Sequence, residues 1–244
     1  MEKKYELTEE TMTITVDRCE GSKVVLHRIK ALKDFGSTKA GDFGGWIESE
    51  KNLSQNDNCW VSGNAMVFDD AMVIDNAIVE GGAKIYGTSC VRDNSCVSGS
   101  AVVFDDAEIR CDAHVHSYAT ICGNAIVKGY VTGDAFIFGN AYIFEGVTLG
   151  GDACIASNRD YFTVCGSVDV EESLSIVTFF KTRYDSTIKV CFSDHACCVI
   201  NEFKEVLEDL RGEKKFGIFA YNKYINITNM AEKLLSDNGV RNFK

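Results

Sequence analysis

An aliphatic residue returns at every sixth position through the middle of this chain. Val61, Val67, Val73, Val79, Ile85, Val91, Val97, Val103, Ile109, Val115, Ile121 and Val127 form twelve consecutive hits. Four residues after each stands a small one, Ala65, Ala71, Ala77, Ala83, Ser89, Ser95, Ala101, Ala107, Ala113, Ala119 and Ala125, with Val131 next in that slot. The spacing then shortens by two residues around Val131–Ala135 and resumes as Ile137, Ile143, Leu149 and Ile155. Ile47 and Leu53 read as the entry hexads. No helix has a period of six, and a plain strand repeats every second residue. The pattern instead implies a coil with three short flat sides and three turns. A β-branched residue points inward from each side, and a small residue fits inside each corner. Three hexads make an 18-residue coil, so Ile47 to Ile155 gives about six coils. Stacked at the spacing of neighbouring strands, they form a rod about 30 Å long.

The turn slots carry Asp69-Asp70, Asp75-Asn76, Gly81-Gly82, Asp93-Asn94, Asp105-Asp106 and Gly123-Asn124, residues that tolerate positive φ or bond their own backbone. The sequence has no proline, as suits a chain whose middle is almost continuous ladder and turn. With 45% hydrophobic and 11% aromatic residues it is not a disordered chain. No apolar stretch approaches the roughly 20 residues that span a bilayer, so no membrane partner is expected. The first ten residues do not read as a signal peptide, which points to the cytoplasm. The 11 cysteines accordingly read as reduced thiols filling small apolar spaces.

The repeat [Leu/Ile/Val]-x-x-x-[small]-x resembles the hexapeptide left-handed β-helix superfamily, which includes bacterial acyltransferases. The handedness is implied by that resemblance. The entry segment, with Leu26-His27-Arg28-Ile29, Gly41-Asp42-Phe43-Gly44-Gly45-Trp46-Ile47 and Cys59-Trp60-Val61, is similar to uncharacterised β-helix proteins encoded by phages and prophages of gut bacteria. Thr178-Phe179-Phe180-Lys181-Thr182 and Ile188-Lys189-Val190 resemble their C-terminal part. That likeness implies a bacterial host cell as the setting.

The fold class expected is mainly β, a left-handed parallel β-helix over residues 46–160. An N-terminal β cap occupies 1–45, with strand-like runs at Met12–Val16 and Val24–Leu32. A small α/β domain occupies 161–244, with strands near 174–182 and 187–192. Val199, Phe203, Val206, Leu207 and Leu210 follow helical spacing up to Gly212, and a second helix is expected over 218–236.

Residues flanking each inward position point outward, and sorting them by 18 separates three faces. The first displays an aromatic series, Phe68, Tyr86, Phe104 and, after the shortening, Phe138. Such a strip calls for a cover: a terminal domain, a second copy of the chain or a partner. Charge is concentrated as well. Residues 46–165 hold 16 acidic and 6 basic groups, against a whole-chain net charge of −11. That argues against direct binding to a phosphate backbone, and no direct nucleic-acid partner is expected. Asp69, Asp70, Asp105 and Asp106 recur on one corner, with Asp75 and Asp93 on the next. Together with the aromatic series they are the expected partner-binding residues. The first functional expectation is therefore a non-enzymatic phage-type interaction protein without a cofactor. Its acidic rod would mimic DNA in the basic groove of a host or phage protein, a CRISPR nuclease being the sharpest case.

The alternative expectations are a virion or structural scaffold, or a trimeric acyltransferase using CoA thioesters. Acyltransferases of the resembled superfamily use a histidine as general base, and only His114 and His116 lie on the coils. They flank inward Val115 and share one face. His-x-His also has the residue types of a zinc site, with His27 or His195 as the third ligand, as does Cys191/His195/Cys197/Cys198. The spacing is irregular, and no metal is expected. Ser193 or Asp194 reads as a helix N-cap.

Overall fold

The computed structural model describes residues 2–16, 21–165, 176–183, 187–192, 196–212 and 218–236. Its centre is a parallel β-solenoid. Strands of two residues, each ending on an inward aliphatic, alternate with turns. They stack into three parallel ladders, one of which, through Trp60, Ile78, Cys96, His114, Tyr130 and Thr148, has six strands. A second ladder runs through Met72, Cys90, Glu108, Ile126 and Tyr142. The remaining one runs through Trp46, Met66, Lys84, Val102, Thr120, Phe136 and Cys154.

Every inward aliphatic from Ile47 to Ile155 is fully buried, and so are the small corner residues. The two corner serines satisfy their hydroxyls inside: Ser89 donates to the Tyr86 carbonyl at 2.8 Å, and Ser95 to the Arg92 carbonyl at 2.6 Å. One register detail differs from the sequence reading. The two missing residues fall at Gly129, between the strands Ile126–Val127 and Tyr130–Val131. Val131 is thus an inward strand residue, and Ala135 takes the corner slot. The physical reason is a tight corner: a Cβ at Gly129 would lie 2.4 Å from the Val147 carbonyl oxygen.

Both ends of the solenoid are closed. At the start, Tyr5–Val16 and Ser22–Ala31 pair antiparallel, and the second of these pairs with Phe43–Ile47. Lys4 is buried there, its ammonium donating to the carbonyls of Asn56 and Cys59 at 3.0 and 2.9 Å. The Tyr5 hydroxyl donates to the Leu53 carbonyl at 2.6 Å. At the far end a four-stranded antiparallel sheet, Tyr161–Cys165, Ile176–Lys181, Ile188–Phe192 and Ala196–Val199, meets the last coil. Tyr161, Phe180 and Cys191 join the solenoid core. Helices α1 (Ile200–Gly212) and α2 (Ile218–Ser236) cover the other side of that sheet through Phe203, Leu207 and Tyr224. The strands Tyr161–Cys165 and Ala196–Val199 are additions to the sequence reading.

The all-thiol expectation needs one correction. Cys191 and Cys197 stand opposite each other on adjacent antiparallel strands and form a disulfide. Direct cross-strand pairing brings their sulfurs together, which spacing along the chain did not disclose.

Burial also sets an alkaline limit. It pushes the Cys122 and Cys198 thiols up to about 11 and the Tyr161 hydroxyl up to about 12. Tyr5 and Tyr224 move the same way. These acids ionise less readily folded than unfolded. The stabilisation they carry is whole below the unfolded values of 9.0 and 10.0 and is lost as pH rises through the folded ones. Lys4, shifted down by burial, and Tyr142, shifted down by Lys128, oppose them. The thermal midpoint is therefore expected to hold from neutral pH to about 9 and to fall from there to about 12. A midpoint that rises over that interval in a pH series of melting curves would contradict this.

Candidate functional site

The outward residues of the six-stranded ladder form two columns. One runs Trp60, Ile78, Cys96, His114, Tyr130 and Thr148, and the other Ser62, Glu80, Ser98, His116 and Thr132. Coil stacking brings His114 onto the next coil's Tyr130, ring on ring at 5.0 Å and 20°. His116 meets the same tyrosine edge-on at 5.5 Å and 80°. Its Nδ1 lies 3.0 Å from the Ser117 hydroxyl and 3.1 Å from that of Thr132, and the two hydroxyls are 3.2 Å apart. In the tautomer carrying its proton on Nδ1, both hydroxyls accept and Nε2 holds the lone pair. Both histidines are half-buried, and Tyr118 beside them is 69% exposed.

The corners on either side of this strand are strained. Among the described residues, the non-glycine positions in the left-handed region are Asp57, Asp69, Asp75, Asp93, Asp105, Cys111 (φ 61°) and Ser117 (φ 65°). Aspartate tolerates that region through local hydrogen bonds. Cys111 and Ser117 have no such tolerance, and they bracket His114–His116. Strain of this kind gathers at functional sites and costs about 1–3 kcal/mol per residue.

Sequence reasoning found the histidines and missed Tyr130, Thr132 and Ser117. The two-residue shortening at Gly129 hid the first two, since sorting by 18 stops at His116. Resuming at a spacing of 16 gives them directly.

The acidic corner is also real as a groove. Asp69, Asp70, Asp105, Asp106 and Tyr86 line a shallow concavity of about 540 Å³. The aspartates divide in two, however. Asp69 Oδ2 accepts from the Gly87 amide and Asp105 Oδ2 from that of Gly123, each at 3.1 Å. Asp75 and Asp93 do the same for the amides of Asp93 and Cys111. These four hold one coil to the next. Asp70 instead pairs with Lys51 at 2.8 Å, and Asp106 accepts from the Thr88 hydroxyl.

The aromatic series stacks as expected at its start: Phe68 on Tyr86 at 5.0 Å and Tyr86 on Phe104 at 5.1 Å. The N-terminal strands cover that start, with Met12, Ile14, Val24 and Leu26 packed around Trp46, Phe68 and Tyr86. Phe104 and Phe138 stay half-exposed, and Phe138 stacks on Phe136 at 4.7 Å. On the second face Glu108 binds Arg92 at 2.5 Å and Arg110 at 3.4 Å. Lys128 there lies 5.3 Å from the Tyr142 ring and holds that hydroxyl below its usual range.

The metal alternatives gain no geometry. His195, with the cap candidates Ser193 and Asp194, lies outside the described residues, and Cys191 and Cys197 are disulfide-bonded. His27 sits in the N-terminal sheet, paired with Thr11 and Ile47. Among the described residues, no group of three or more His, Cys, Asp or Glu is placed to hold a metal ion. No described helix is long and apolar enough to cross a membrane.

The molecule is a parallel β-solenoid with a hydroxyl-held histidine on one face. No protein-family profile matches the chain. A 61-residue stretch, 24% of the chain, is 41% identical to the "Uncharacterized acetyltransferase YdcK" of Escherichia coli (strain K12). The chain spans 18% of the length of that curated relative.

Proposed function

We propose that this protein transfers an acyl group, acetyl being the first choice, from a CoA thioester to an acceptor hydroxyl or amine, with His116 as general base. The observation that carries the reading is the His116 Nδ1 held by Ser117 and Thr132 between two strained corners. The likeness to a protein named an acetyltransferase supports it. His116 Nε2 takes the proton of the acceptor as that atom attacks the thioester carbonyl. The C–S bond then breaks, and the thiolate leaves with the proton the imidazolium returns. His114 and Tyr130 keep the ring upright. The test is thiol release from acetyl-CoA in the presence of pooled amine and hydroxyl acceptors. Turnover abolished by His116→Ala supports the reading, and absence of turnover in the unaltered protein overturns it.

A second reading rests on the acidic groove, where four aspartates and no basic residue line one concavity. It fits a basic protein surface, the nuclease groove of the first expectation included. Asp69 and Asp105 cap amides, so charge reversal there would confound binding with folding. Asp70→Lys with Asp106→Lys is the cleaner change. It is expected to abolish low-salt capture of a basic-grooved nuclease with the thermal midpoint held. Unchanged capture removes this reading.

A further inference from the structure

Three side chains at outward strand positions of the solenoid are acidic: Glu48, Glu80 and Glu108. Two are engaged. Glu48 accepts from the Asp69 amide at 2.6 Å, and Glu108 bridges Arg92 and Arg110. The Glu80 carboxylate makes no hydrogen bond or ion pair with any described residue. A carboxylate standing free on a flat sheet face looks unremarkable until its surroundings are included. Glu80 lines a cleft of about 380 Å³ between the first coils and the loop that enters them. Asp42 brings a second carboxylate from that loop. Trp60, Phe43 and Ile78 supply apolar wall, and the Asn76 amide there is held in a ladder between Asn58 and Asn94 at 3.1 Å each. No lysine or arginine lines the cleft. Arg28 and Lys30 lie over the Phe43 ring at 5.5 and 5.6 Å, and neither reaches into the lining.

We infer that this cleft binds a small organic cation, an amine carrying an apolar or aromatic body. Asp42 Oδ2 accepts from the Lys39 amide at 2.7 Å, which leaves its charge in place, and two carboxylates in one concavity whose lining holds no lysine or arginine favour a positive ligand. The aromatic and aliphatic wall takes the body of such a molecule, and an exposed ring adds attraction for its charge. The volume is that of a small-molecule site. Glu80 supplies the charge contact. Trp60, held by Phe35 and Tyr5 ring contacts at 5.2 and 6.2 Å, is a rigid wall. The cleft shares its face with His116 but stands two coils away, roughly 10 Å at strand spacing. Its binding does not depend on acyl transfer.

The experiment is calorimetric titration of the full chain at low salt with 2-phenylethylamine, using neutral 2-phenylethanol as control. The amine is expected to bind at least about tenfold more tightly than the alcohol. Glu80→Gln, an isosteric change at an exposed position, is expected to remove that difference with the thermal midpoint unchanged. His116→Ala is expected to leave the affinity within about twofold. Equal binding of amine and alcohol, no binding of the amine, or undiminished binding by Glu80→Gln overturns the inference. A loss on His116→Ala places the amine elsewhere and overturns it too.

Discussion

Exchanging His116 for alanine is expected to lower acetyl-transfer turnover by about 10²–10⁴-fold, the range for loss of a positioned general base. The thermal midpoint should barely move, because the side chain lies on an outer face and fills no part of the core. The neighbours sharpen this. Thr132→Val keeps the shape and deletes one of the two hydroxyls on Nδ1, so it should cost turnover by roughly tenfold without abolishing it. His114→Ala removes the ring stacked on Tyr130 and no proton acceptor of the proposed step. Its loss should therefore be smaller than that of His116→Ala. A His116→Ala protein with full turnover would dismiss the base, whatever the fate of the others.

The second large effect concerns the fold. Gly129→Val is expected to destabilise the chain by about 4 kcal/mol, at the severe end of single substitutions. The added Cβ would meet the carbonyl oxygens of Val147 and Phe144 at 2.4 and 2.7 Å. Both are backbone atoms of the next coil: the Val147 carbonyl accepts the ladder bond from the Tyr130 amide, and the Phe144 carbonyl accepts from the Val147 amide in its own turn, so both bonds would be disturbed. The chain beyond this corner then loses its seat on the coils before it. Gly82→Ala is the contrast: its Cβ would stand 3.5 Å from the Gly99 carbonyl, at ordinary contact distance, and should cost less than about 1 kcal/mol. Chemical denaturation of the two variants side by side decides the point. Equal stabilities would mean that the corner relaxes.

The solenoid was legible because burial there is strictly periodic. Each hexad offers one inward slot, filled by an aliphatic residue, and one corner slot, filled by a small one. The three faces followed, since outward residues alternate with inward ones. The position of the shortened corner was not legible to the residue. Val131 suits both an inward strand slot and a tight corner, and only the approach of the neighbouring carbonyls to Gly129 decides between them. Tyr130 and Thr132, which meet His116, were lost with that same slip. Lys4 escaped notice for another reason. A lysine in a charged N-terminal stretch reads as solvated, yet three carbonyls and a thiol of the first turns converge on its ammonium. The acidic corner was visible as composition, but whether an aspartate caps an amide or stands clear is a matter of φ and register. Asp69 and Asp70 are adjacent in sequence and differ in this respect.

Because each coil touches only the coil before and the coil after, the rod behaves as a ruler with a fixed division. Glu80 and His116 are separated by two divisions. A coil of eighteen residues added between them would extend that separation by about 4.8 Å and leave both neighbourhoods intact. The reach between a cleft and a base is, in this architecture, a whole number. Duplicating a coil would move Glu80 and His116 apart by one division, with no redesign at either end.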